Sequence, residues 1–178
     1  MSERRLIIVT GGVDSGKTSW CGQLAAASPG CGGVLLPKVY RQGLRIGYDA
    51  RRLPNGERIP FARIEGHEPA EWSFAERIGP FSFSSAGLHC VNAWLSEAAV
   101  QTAELIIIDE VGPLELGEGG LSTGLRAVLA SPRRRELYLV IRKDCLEAAC
   151  ARFGITGYTL IDVGTGSGTH GPGTADTE

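Results

Sequence analysis

The chain lacks any long apolar run. Its strongly apolar stretches, such as Leu6–Val9 and Leu105–Ile108, are short. Roughly 18 apolar residues are needed for a membrane helix, so a membrane span is not expected. It also lacks a large charge of either sign. A formal net charge of −2 leaves only local patches for nucleic acid. No C-x-x-C pair occurs among Cys21, Cys31, Cys90, Cys145 and Cys150. An odd count without zinc spacing reads as reduced cytosolic thiols, and a metal or redox site is not expected. The histidines do not cluster: His67 reads as an exposed loop residue, His89 as a structural helix residue, and His170 as part of a polar tail. The opening MSERRLIIVT has too short an apolar core for a signal peptide. A cytoplasmic location is therefore the expectation. No internal repeat is visible.

What is present is one domain's worth of core, in a chain of 178 residues that is 43% hydrophobic and 21% charged. Its most informative stretch is Gly11–Thr18, GGVDSGKT, directly after Leu6-Ile7-Ile8-Val9. It fits G-x-x-x-x-G-K-[ST] with Gly11, Gly16, Lys17 and Thr18 in the fixed places. The loop Gly11, Gly12, Val13, Asp14, Ser15, Gly16 leads through Lys17, Thr18 and Ser19 into a predicted helix over 17–27. Inward-turned backbone N–H groups and the positive end of a helix dipole suit a polyphosphate. Lys17 has the reach for the β- and γ-phosphates, and the Thr18 hydroxyl suits Mg²⁺.

The remaining pattern is α/β. Residues 4–10 form a first strand, apolar throughout and so buried on both faces. Residues 34–65 read as an antiparallel meander interrupted by Pro37, with turns at Gln42-Gly43 and Pro54-Asn55-Gly56. Its arginines read mainly as solvated strand faces. Residues 66–80 read as a loop, in which Trp72 and Phe74 would cover core. A helix follows over 83–102, by the spacing of Leu88, Val91, Leu95 and Ala99. Then come a strand over 104–109, a helix over 121–129, a basic loop over 131–135, a strand over 136–141, a helix over 144–153 capped by Asp144, and a strand over 158–163. The domain thus spans 1–163. The tail 164–178, GTGSGTHGPGTADTE, has little to bury and is expected to be disordered.

The second chemical signal is Leu105–Glu110, LIIIDE. A buried strand delivers Asp109 at its C-terminal end, where open α/β sheets bind ligands. Asp109 would hold Mg²⁺ opposite Thr18. Glu110 would polarise a water for attack on the γ-phosphate. The long separation of the two motifs suits an extra strand between the loop strand and the acidic strand. Arg142, just past a strand end, is either a positive group for the transferring phosphoryl or a surface residue beside Lys143. Arg133-Arg134-Arg135 reads as a solvated loop, with a lid over phosphates as its alternative.

GGVDSGKT, VYRQGLRIGYDA (39–50) and LIIIDEVGPLEL (105–116) together resemble the nucleoside-triphosphatase family typified by thermophile enzymes and the cancer-related nucleoside-triphosphatase. The stretch GPFSF (79–83) and the helix after it fit the same layout. The resemblance implies a RecA-like P-loop fold, mainly parallel and flanked by helices. It also implies Mg²⁺-dependent hydrolysis of nucleoside triphosphates with loose base selectivity. Glu115 matches a family acid of unknown role, and Arg41 and Arg45 match its strand-pair arginines. Two positions depart. Pro113 replaces a common lysine, and Asp14 stands where glycine is usual, so its side chain must point away from phosphates. The same x-x-D-x-G-K-T flavour occurs in some polynucleotide kinases. Two rivals to hydrolysis follow: a kinase whose acceptor pocket is built from residues 41–82 or the arginine loop, and a slow nucleotide switch acting through a partner.

Overall fold

The computed structural model describes residues 5–133, 135–164 and 168–170. One mixed sheet organises them. Its strands in chain order are β1 (Arg5–Thr10), β2 (Gly32–Leu35), β3 (Lys38–Arg41), β4 (Leu44–Leu53), β5 (Arg58–Ile64), β6 (Phe74–Ile78), β7 (Phe81–Ser84), β8 (Leu105–Val111), β9 (Glu136–Ile141), β10 (Thr159–Asp162) and β11 (Gly168–His170). Across the sheet the order is β11-β10-β1-β9-β8-β2-β4-β5-β7-β6, with β3 on β4. The block β10-β1-β9-β8-β2 is parallel. β9 is the extra strand between the loop strand and the acidic strand.

Five helices cover the faces: α1 (Lys17–Ala27), α2 (Ser85–Val100), the single turn α3 (Pro113–Leu116), α4 (Ser122–Ala130) and α5 (Leu146–Phe153). The continuous apolar runs of the parallel strands serve both faces by alternation. Ile8, Ile106, Ile108, Leu137 and Leu139 pack with α2, α4 and α5. Ile7, Val9, Ile107 and Val140 pack against Cys21 and Leu24 of α1. Among the described residues no helix is long and apolar enough to cross a membrane.

The antiparallel part is larger than residues 34–65. β2 belongs to the parallel block through β8, and the chain breaks at Pro37 into β3. The antiparallel ladders continue through β5 to β7 and β6. β6 falls where the sequence reads as loop. It is an edge strand, mostly exposed, so it carries no alternation to read. Phe74 is 59% exposed rather than core. Trp72 is half-buried, and its indole N–H donates to Ser82 Oγ at 2.8 Å. Phe83 and Ser84 belong to β7. The Ser84 hydroxyl caps α2 by accepting from the Gly87 N–H at 3.1 Å.

Four further readings change. His89 is exposed and His67 half-buried. Asp144 does not cap α5: it lies in a 3₁₀ turn, Lys143–Cys145, and the helix starts at Leu146. β11 pairs antiparallel with β10 inside the stretch read as a structureless tail. That pairing uses backbone groups, so GTH gives no apolar signal for it. The rest of the tail, apart from Gly164, lies outside the described residues.

Candidate active site

The phosphate loop begins where β1 ends. The Thr10 hydroxyl anchors that end by donating to Ile141 O at 2.9 Å. Gly11 has φ +152°, and a Cβ there would lie 2.5 Å from Val163 O. Gly16, the residue before α1, has φ +91°, a left-handed conformation that favours glycine. The Trp20 N–H then donates to Gly16 O at 2.8 Å and closes the first helical turn. Lys17 folds back over the loop, its ammonium donating to Gly12 O at 2.8 Å and Gly11 O at 3.2 Å. Gly12, Val13 and Ser19 are exposed. The Ser15 hydroxyl is buried with no hydrogen-bond partner. A buried donor left unmatched fits a loop shaped for an oxygen-rich ligand.

Asp14 is left-handed, φ 59°, and its carboxylate points out of the cradle. It pairs with Lys38 and, at 3.4 Å, with Arg45. The Lys38 ammonium holds the Asp14 carboxyl below its usual range and is itself pushed upward. This bridge ties the phosphate loop to the β3–β4 hairpin. Arg45 also lies over the rings of Tyr48 and Phe81, at 5.7 and 5.6 Å. Arg41 is exposed.

β8 brings the two acids to the same rim. Asp109 is only 1% exposed. The Leu36 N–H donates to its Oδ2 at 3.1 Å, and the Thr18 side chain hydrogen-bonds it too. Burial pushes the Asp109 carboxyl up; the two hydrogen bonds and the Lys17 and Lys38 charges oppose this. A buried carboxylate joined to a hydroxyl is a hard-oxygen pair that fits Mg²⁺. Glu110 is half-buried, and its carboxylate accepts no hydrogen bond from the described residues. Burial, then the neighbouring Asp109 charge, push its carboxyl up, while Lys17 and Arg142 pull it down. The Lys17 charge therefore reaches Glu110 across the rim.

Arg142 is on that rim. Its Nε and a terminal nitrogen grip Asp144 at 3.0 and 2.6 Å. Arg135 is neither solvated nor part of a lid. It is buried and donates to Ala98 O at 2.8 Å and Ala99 O at 3.0 Å, satisfying the C-terminal carbonyls of α2. Arg133 is exposed, and Arg134 lies outside the described residues. Two meander arginines are also structural. Arg63 is buried, bonding Tyr48 O at 2.6 Å and Asp49 at 2.5 Å, and Arg52 pairs with Glu97 at 2.6 Å.

Glu115 acts as a staple. Its two oxygens accept from the Gly112 N–H at 2.8 Å and the Leu121 N–H at 2.9 Å. Burial pushes its pKa from 4.5 to about 7 against the pull of those two bonds. An acid raised in this way binds its proton more tightly when folded. Its contribution is complete below the unfolded value and is lost as pH rises through the folded one. Stability should fall by up to about 3 kcal/mol from this group between pH 5 and 8, read as a falling melting temperature. Glu115→Gln should melt lower at pH 5, with a flatter profile, because one amide oxygen faces two N–H donors.

The comparisons with known proteins bear on family and fold. A family model described as NTPase matches residues 6–154. The chain belongs to this NTPase family. It is 29% identical over 124 residues to the nucleoside-triphosphatase THEP1 of Methanopyrus kandleri, covering 67% of this chain and 64% of that protein. The Archaeoglobus fulgidus THEP1 is 32% identical over 113 residues, 62% of each. The chain thus spans a little under two thirds of these curated relatives' length. Among solved structures, THEP1 from Aquifex aeolicus superimposes with a TM-score of 0.65 at 18% identity, covering 89% of each chain. A human cancer-related nucleoside triphosphatase does so at 0.63 and 20%, covering 91% of this chain and 90% of that one. These likenesses bear on the fold, which is that of the family's P-loop proteins.

The fold gathers Lys17, Thr18, Asp109, Glu110 and Arg142 on one rim. Sequence reasoning missed Lys38, whose charge reaches both Asp14 and Asp109. Its place follows from β2 lying beside β8, a neighbour relation that no local motif encodes.

Proposed function

We propose that the chain hydrolyses nucleoside 5′-triphosphates to diphosphate and phosphate, with Mg²⁺ and with loose base selectivity. The observation that carries this reading is the unpartnered Glu110 carboxylate, next to Asp109 and within the field of Lys17. A carboxylate with no hydrogen bond to hold it is free to accept one from water. Loop amides and Lys17 bind the phosphates and offset the charge that grows on the leaving diphosphate. Glu110 orients the water in line and takes its proton. Arg142, already on the rim, adds positive charge beside the transferring group. Thr18 and Asp109 would hold Mg²⁺, which supplies charge neutralisation on the phosphate oxygens when bound. The relatives are named nucleoside-triphosphatases, which supports the substrate class.

The test is phosphate release from ATP, GTP, CTP and UTP by the full chain, with Mg²⁺ or with EDTA. Release from all four within about tenfold of one another, and none in EDTA, is expected. Absence of release from every triphosphate overturns the reading.

A further inference from the structure

Beside Glu110 lies a pocket of about 160 Å³ whose lining includes no phosphate-loop residue. Leu36, Tyr48, Phe61, Phe81, Phe83 and Leu114 form its apolar walls. The rings are set against one another: Tyr48 and Phe81 have centroids 5.3 Å apart, and Phe61 and Phe83 meet edge to face at 5.6 Å. Three charged side chains reach it: Glu110, Glu115 and Arg142. Both Glu115 oxygens are taken by backbone N–H groups, and Arg142 is gripped by Asp144. Of these three charged groups, only Glu110 has a carboxylate that accepts no hydrogen bond from the described residues.

The strand order decides which ligand such a pocket serves. The loop leaves β1, and the acids leave β8. The pocket walls come from β4, β5 and β7, further out on the same side. A triphosphate seated in the loop with its γ-phosphate toward Glu110 has its base on the opposite side. The pocket therefore lies beyond the γ-phosphorus, where an in-line nucleophile must stand, because the leaving oxygen and the attacking oxygen are opposed. Water needs no such space. An apolar cavity of about 150 Å³ is enough to admit a benzene ring.

We propose that this pocket is an acceptor site for a small alcohol or phenol built on a single flat ring, and that the chain transfers the γ-phosphoryl group to its hydroxyl. The ring lies among the Tyr48, Phe61, Phe81 and Phe83 side chains, and the hydroxyl donates to Glu110. The hydroxyl oxygen forms the new bond to the γ-phosphorus. The bond from that phosphorus to the β–γ bridging oxygen breaks, and its electron pair leaves with the nucleoside diphosphate. The hydroxyl proton passes to Glu110. The products are a phosphate monoester and the diphosphate. This inference rests on the triphosphate placement given under the proposed function; hydrolysis is then the same reaction with water in place of the alcohol.

The experiment uses the full chain with Mg²⁺ and ATP, and a panel of benzyl alcohols, phenols and hydroxymethyl-substituted pyridines and pyrimidines. Phosphorus NMR follows monoester and inorganic phosphate in one sample. At least one compound should yield monoester. Phe81→Ala should then lower the ratio of monoester to inorganic phosphate by about tenfold, through loss of one aromatic wall. Because both products come from the same folded molecules, that ratio is insensitive to how much of the variant folds. Inorganic phosphate alone with every compound, or monoester formation that Phe81→Ala leaves in unchanged ratio, overturns the acceptor site and leaves the hydrolase reading standing. Neither product from ATP overturns both.

Discussion

Glu110→Gln should bind triphosphate as the parent does and lose roughly 10²–10⁴ in turnover, the usual worth of a positioned general base. The side-chain shape is kept and only the basic oxygen is removed. The fold has no stake in that oxygen, since the carboxylate accepts no hydrogen bond from the described residues. The split is therefore expected to be clean: unchanged affinity by titration with a non-hydrolysable triphosphate, unchanged melting temperature, and lost phosphate release. Parental turnover in this variant would remove Glu110 from the mechanism. Asp109 would then remain as the acid that β8 delivers to the site.

Lys17→Ala should act one step earlier. The ammonium now rests on two loop carbonyls, at 2.8 and 3.2 Å. It has little else to hold, so its loss should spare the fold. Removing it deprives the triphosphate of its one side-chain cation inside the loop. Leaving phosphate charge unmatched in a partly buried site should weaken binding by roughly 10²-fold or more. Titration of the variant with the same non-hydrolysable triphosphate checks this. Affinity within a few-fold of the parent would show that the loop binds through its amides without help from its lysine.

The two variants separate binding from chemistry because the motifs that carry them were both legible. G-x-x-x-x-G-K-T declares itself by residue types that the backbone geometry requires. LIIIDE declares itself by a buried run ending in acids. The parallel strands were legible for the same reason: burial on both faces writes a continuous apolar run. What could not be read is what depends on lateral neighbours. The pocket draws Tyr48, Phe61 and Phe81 from three strands of ordinary antiparallel pattern. Arg135 and Arg63 look like surface charge, and become buried only because distant carbonyls turn toward them. Glu115 was an acid without a role until the two backbone N–H groups that it binds were seen. β6 was illegible because an edge strand has little burial to record.

The bridge from Asp14 to Lys38 and Arg45 means that the cradle arrives with a counter-anion of its own. Lys38 and Arg45 are not idle cations at that edge: under the proposed function, an incoming polyphosphate would have to outcompete a tethered carboxylate for them. A ligand with three phosphates has more charge to set against that carboxylate than a lone orthophosphate, so under the proposed function the bridge should act as a threshold on valence. Half-exposed charges of this kind weaken as ionic strength grows. Added salt should therefore erode the preference for triphosphate over free phosphate before it loosens the hold of the loop amides.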